Sequence, residues 1–113
     1  MQGGSKSPLI VLLALMLLFS ACSRLVSLES INQDPRQFQG KEIRVAGRVA
    51  NSFTEGKLGA FELDDGTGRL WVLLENTNLP AHNSNINVRG TIEQGLPFAG
   101  RNFVIILRET QAR

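Results

Sequence analysis

From Lys41 onward apolar side chains recur at every second position, and a period of two confines this part of the chain to β-strands. Ile43, Val45 and Val49 alternate with Glu42, Arg44 and Arg48, and Gly47 falls on the inward register, where a strand bends or another backbone comes close. After a loop expected at Phe53 to Lys57, Ala60-Phe61-Glu62-Leu63 runs into Asp64-Asp65-Gly66-Thr67-Gly68. Two aspartates and two glycines between alternating runs predict a tight hairpin. Its returning strand is Arg69 to Glu75, with Leu70, Val72 and Leu74 inward. A polar link from Leu79-Pro80 to Asn85 leads to Ile86, Val88, Gly90 and Ile92, which alternate with Asn87, Arg89, Thr91 and Glu93. Gly95 to Arg101 is expected to turn the chain, and Phe103 to Leu107 closes the set.

Ahead of the strands, Leu25, Val26, Leu28 and Ile31 stand at near-helical spacing. They predict a short helix from Leu25 to Gln33, ended by Asp34-Pro35 because a residue before proline avoids the helical region. Phe38 is expected to plug the body of the domain. Five strands in so few residues, with inward glycines in the first and fourth, favour a small closed barrel, since an open sheet would leave edges to protect.

The stretches I43-R-V-A-G-R-V49, F61-E-L-D-D-G-T-G-R-L-W-V72 and I86-N-V-R-G-T-I92 resemble the OB-fold pattern of strand one, the hairpin of strands two and three, and strand four. The resemblance implies an all-β, five-stranded OB-fold barrel with a short N-terminal helix. Its layout is similar to that of small exported bacterial OB-fold proteins, which are regarded as ligand-binding or stress-linked envelope proteins. It also resembles the anticodon-binding OB domains of tRNA-handling proteins. That likeness implies a ligand face on the outside of strands one to three, formed here by Arg44, Arg48, Glu62, Arg69 and Trp71. The alternative is that Arg48 pairs across the strands with Glu62 while Trp71 covers the barrel wall. A third likeness, to the membrane-tethered haem chaperone of cytochrome c maturation, lacks that family's histidine after the last strands, since the sole histidine is His82 in the link.

The first residues follow a different logic. Met1 to Pro8 is polar with one cation at Lys6, Leu9 to Phe19 is unbroken apolar, and Ser20 and Ala21 are small. These are the three regions of a secretory signal. The apolar run is shorter than the roughly 20 residues a spanning helix needs. Phe19-Ser20-Ala21-Cys22 resembles the lipobox of bacterial lipoproteins, with phenylalanine where leucine is usual. That family's cysteine receives a diacylglyceryl group and becomes residue one after cleavage. The expected organisation is therefore a signal peptide at 1–21, a lipidated segment with the short helix at 22–40, and the OB barrel at 41–110. Ordinary secretion with a spare thiol is the competing reading. Ser23 is not the aspartate of the inner-membrane retention rule, which favours the outer membrane in a cell with two.

Of 12 basic residues only Lys6 lies in the leader, so the mature part carries 11 against 10 acidic ones. That balance lacks the clustered cations of a duplex-binding protein and makes nucleic acid an unlikely partner. The expected partners are membrane lipid, through Cys22, and an envelope protein or glycan. A single cysteine excludes a disulfide framework and a cysteine-rich zinc site. Asp64 and Asp65 lack EF-hand spacing, Gly66-Thr67-Gly68 lacks the lysine of a phosphate loop, and His82 has no evident orienting partner. The sequence thus predicts neither catalytic nor metal residues, no cofactor, and a non-enzymatic protein.

Overall fold

The structure is a computed structural model that describes residues 24–110. The signal sequence and Cys22 lie outside them. The elements are β1 (Arg24–Leu25), α1 (Leu28–Gln33), a 3₁₀ turn (Pro35–Phe38), β2 (Ile43–Glu55), β3 (Leu58–Asp64), β4 (Arg69–Leu74), β5 (Asn85–Phe98) and β6 (Arg101–Glu109). They form one sheet in the order β1-β2-β3-β4-β6-β5, and a further pairing of β2 with β5 closes β2 to β6 into a ring of hydrogen bonds. The expected five strands are these five; the two-residue β1 adds a sixth, parallel to the start of β2.

Alternation explains the core. Val45, Val49, Phe61, Leu63, Val72, Leu74 and Leu107 are fully buried inside the ring, each contributing about 1.5–3 kcal/mol by leaving water. Gly47 and Gly90 lie where the sheet leaves no room for a side chain. A Cβ on Gly47 would sit 2.8 Å from the Asp64 carbonyl oxygen, and one on Gly90 would overlap the carbonyl oxygen of Arg108.

The helix starts three residues later than the apolar spacing predicts, because Leu25 is held in register with Arg44 and Ser27 takes the N-cap. The Ser27 side chain accepts from the Ser30 amide at 3.3 Å. Six residues are too few to hold a helix unaided. Packing supplies the rest: Leu28 and Ile31 are fully buried, and Phe38 joins the same cluster as the expected plug.

The β3–β4 hairpin secures the helix from outside. Asp65 accepts from the Leu28 amide at 2.9 Å, and Thr67 Oγ1 accepts from the Glu29 amide at 3.2 Å. The other Asp65 oxygen accepts from the amides of Thr67 and Gly68 and from the Thr67 hydroxyl at 2.9, 3.1 and 2.6 Å. Burial alone would push the Asp65 carboxyl up, but these bonds, the one from Leu28 foremost, together outweigh it and hold it below its ordinary value. A depressed folded pKa stabilises fully above the unfolded value and loses that contribution as pH falls through the folded one. Asp65→Asn is therefore expected to lower the melting temperature at neutral pH, at a cost of about 1–2 kcal/mol. Its gap from the wild type should narrow below about pH 4. Melting curves across pH test this, and a gap that widens in acid would contradict it.

Two strands run further than the sequence predicts. β2 continues through the expected loop at Phe53 and turns only at Gly56-Lys57. β5 continues through Gly95 to Phe98 and turns at Ala99-Gly100, where both residues have positive φ, 53° and 73°. That pair of angles suits a two-residue hairpin turn, although the left-handed region costs a non-glycine residue about 1 kcal/mol.

Candidate binding face

A bulge in β2 creates the most distinctive surface of the molecule. Arg48 and Val49 face Asp64 and Leu63, whereas Asn51 faces Glu62 and Phe53 faces Ala60, so Ala50 is an extra residue. Beyond a bulge the side chains of a strand exchange faces. Arg48, Asn51 and Phe53 all emerge outside the ring in consequence, beside Glu62 of β3 and Trp71 of β4.

Four aromatic rings meet there in a closed circuit. Phe53 contacts Trp71 edge-on at 5.4 Å and stacks with Phe98 at 5.6 Å. Phe103 completes the circuit, 5.8 Å from Trp71 and 6.3 Å from Phe98. Beneath them Leu73 and Ile106 are buried although they belong to the outer face, so a second small core lies outside the ring. The guanidinium of Arg101 lies over both Phe53 and Trp71, 5.2 and 5.8 Å from their centroids. Such cation–π contacts are worth about 0.5–1 kcal/mol at exposed sites. Phe53, Trp71 and Phe98 remain half-buried and Arg101 exposed.

An ionic row borders the aromatic circuit. Arg48 donates to Asn83 at 2.8 Å and reaches Asp64 at 3.5 Å; Arg69 bridges Asp64 and Glu62, both at 3.3 Å; Asn51 donates to Glu62 at 2.8 Å. The predicted cross-strand pair of Arg48 with Glu62 is therefore replaced by two others, Arg48 with Asp64 and Arg69 with Glu62. The bulge is the physical reason, since it places Asp64 opposite Arg48 and Asn51 opposite Glu62. Half-exposed pairs of this kind contribute little to stability. Their effect is to neutralise both arginines, leaving Arg101 as the cation of the aromatic patch.

Of the five residues predicted for a ligand face, Arg48, Glu62, Arg69 and Trp71 come together. Arg44 does not. It lies four residues back along β2, opposite Leu25 and Arg89, on the β1–β2–β5 side. Phe53, Phe98, Arg101 and Phe103 were not legible as site residues. Three of them, Phe53, Phe98 and Arg101, fall within the segments expected to be loops or turns, and Phe103 was expected only to close the sheet. His82 lies in the link between β4 and β5. Among the described residues no group of three His, Cys, Asp or Glu side chains could hold a metal ion, and no helix is long and apolar enough to cross a membrane.

No family model and no curated protein matches the chain. Solved structures do. An OBody bound to hen egg-white lysozyme is similar at 18% identity over 66% of this chain and 81% of its own, with a TM-score of 0.52. A protein named for aspartyl-tRNA synthetase, from Leishmania major Friedlin, is similar at 16% identity over 85% of this chain, with a TM-score of 0.57, and this chain spans 24% of its length. A replication protein A heterotrimer bound to single-stranded DNA is similar at 19% identity over 62% of this chain and 53% of its own, with a TM-score of 0.49. With the strand ring already described, the likeness to the first two establishes an OB-like fold for residues 24–110.

Proposed function

We propose that this chain is an extracytoplasmic lipoprotein, tethered through Cys22, whose OB barrel serves as a non-enzymatic binding module of the bacterial cell envelope. The observation that carries the binding role is the aromatic circuit in which Phe53, Trp71 and Phe98 are half-exposed, backed by the buried Phe103, under Arg101. A rigid aromatic patch framed by two hairpin tips offers apolar area at small entropic cost, as binding hot spots do. In OB-folds the corresponding strands and flanking loops hold ligands. The bordering polar side chains bond to one another, which suits recognition by shape and hydrogen bonding. A protein or glycan of the envelope fits that character.

The test is crosslinking in intact cells from a photoreactive residue at Asn51, which is exposed in the same cross-strand row as Glu62 and Trp71. A discrete adduct is expected, and it should disappear when Trp71→Ala is added. An adduct that survives that substitution, or none at all, would sink the reading. A second reading, single-stranded nucleic acid, is favoured by the aromatic rings together with Arg101, since stacking is worth about 1–3 kcal/mol per base. Neutralisation of Arg48 and Arg69 weighs against it, because phosphate binding draws on free cations. Salt-sensitive oligonucleotide binding, lost in Trp71→Ala, would reverse that ranking.

A further inference from the structure

β1 follows Cys22 almost at once. Only Ser23 separates the cysteine from Arg24, the first residue paired to the sheet. Two residues span at most about 7 Å. Leu25 stands in register with Arg44, and the Val26 amide donates to the Arg44 carbonyl at 2.8 Å, so this segment is fixed to β2. An acyl group on Cys22 would hold the sheet itself against the bilayer, with no linker to let it swing.

The surface at that point is unlike the rest of the molecule. Leu25 is 56% exposed, one of two large apolar side chains so placed among the described residues. Arg44 lies in register with it on β2 and on the same face, with Arg89 next across the sheet, whereas the exposed Arg24 is in register with the inward Ile43. Arg44 is half-buried, and its Nε is buried without a hydrogen bond. An exposed apolar side chain with an arginine beside it, next to a lipid attachment point, is chemically suited to the boundary between headgroups and acyl chains.

We infer that the outer face of β1 and the first half of β2, with Leu25 at its centre and Arg44 beside it, rests on the bilayer that carries the acylated Cys22, Arg44 meeting anionic lipid headgroups. The inference rests on the acylation reading of Cys22. It has a directional consequence. Phe53 lies nine residues beyond Arg44 on β2, up to about 30 Å along the strand. The aromatic circuit is then held at the far end of the barrel, clear of the membrane and open to a partner.

The chain offers a clean test, because acylation consumes its only cysteine and an introduced one becomes the sole free thiol. Leu25→Cys and Lys57→Cys, each spin-labelled in the full acylated protein, are placed in vesicles of phosphatidylcholine and phosphatidylglycerol. Collision rates with oxygen and with a water-soluble nickel chelate are then compared. The label at 25 should be shielded from the chelate and open to oxygen, and the label at 57, in the β2–β3 turn, should show the reverse. Adding Arg44→Gln should weaken the shielding at 25, with an unchanged circular dichroism spectrum as the control for folding.

Equal chelate access at both positions would overturn the inference while leaving the anchor intact. So would equal shielding at 25 in the unacylated Cys22→Ser background without vesicles, which would assign the cover to protein. If the wild type fails to float with vesicles and Cys22 itself takes the spin label, the acylation reading and this one fall together.

Discussion

Gly90→Val is expected to abolish cooperative folding. Gly90 pairs with Ile43 on one side and Glu109 on the other, at the point where β2, β5 and β6 come together. A side chain there would be driven into backbone: the added Cβ would overlap the Arg108 carbonyl oxygen, lie 2.9 Å from its carbon, and lie 3.0 Å from Leu107 Cγ. A flexible neighbour could move aside, but a carbonyl in a paired strand can move only if the pairing opens. Overpacking a core typically costs about 1–3 kcal/mol, and more when backbone must shift. A domain this small has about 5–10 kcal/mol in reserve. Valine should leave no sigmoidal thermal transition, and alanine should leave one at a clearly lower temperature. A valine variant melting with the wild type would show that β5 and β6 do not approach as closely as described.

The sheet was legible in the sequence because its inner face is so regular. Ile43, Val45 and Val49, then Phe61 and Leu63, then Leu70, Val72 and Leu74 are inward as alternation requires, and all are buried. Inward glycines at 47 and 90 signalled close backbone approach, and both occupy such places. The strand ends were less legible. Asn51 to Glu55 carries no apolar alternation, because the bulge at Ala50 moves its register and only Phe53 among its outward positions meets the second core. The turn at Ala99-Gly100 was hidden by an alanine at positive φ, a place where sequence statistics favour glycine or asparagine. The start of α1 shifted because pairing of Leu25 with Arg44 overrode a helical spacing it also satisfies.

The same bulge governed how much of the site could be read. Glu62, Arg69 and Trp71 lie on unbroken alternation, so their outward placement followed from the hairpin alone. Phe53 reaches Trp71 only because one residue is inserted before it. Arg101 and Phe103 reach Trp71, and Phe98 reaches Phe53, because the β5–β6 hairpin brings its tip to the same patch. A sequence contains no local mark of that approach, since it depends on contacts between segments about 30 to 50 residues apart in the chain. Three of the chain's six phenylalanines and its only tryptophan were therefore present as composition without a common place.

The second large effect is expected at Cys22, which lies outside the described residues. Acyl chains contribute about 0.8 kcal/mol per buried CH₂ group, so two or three chains hold a protein firmly where one holds it weakly. Cys22→Ser removes the thiol on which, in the proposed lipoprotein, the first of them is built, and the sequence has no second cysteine to replace it. The incorporated label is a better readout than cell fractionation, because an uncut leader with its apolar run from Leu9 to Phe19 would itself retain the variant at the membrane. Loss of the anchor would also release the constraint on the β1 face and leave the aromatic circuit at no fixed distance from the bilayer.

The most direct measurement is growth of cells expressing either form with radiolabelled palmitate, followed by isolation of the protein and counting of the bound label. The wild type should carry label that resists removal by detergent and organic extraction, and Cys22→Ser should carry none. Equal label in both, or none in either, would contradict the tethered binding module proposed for this chain.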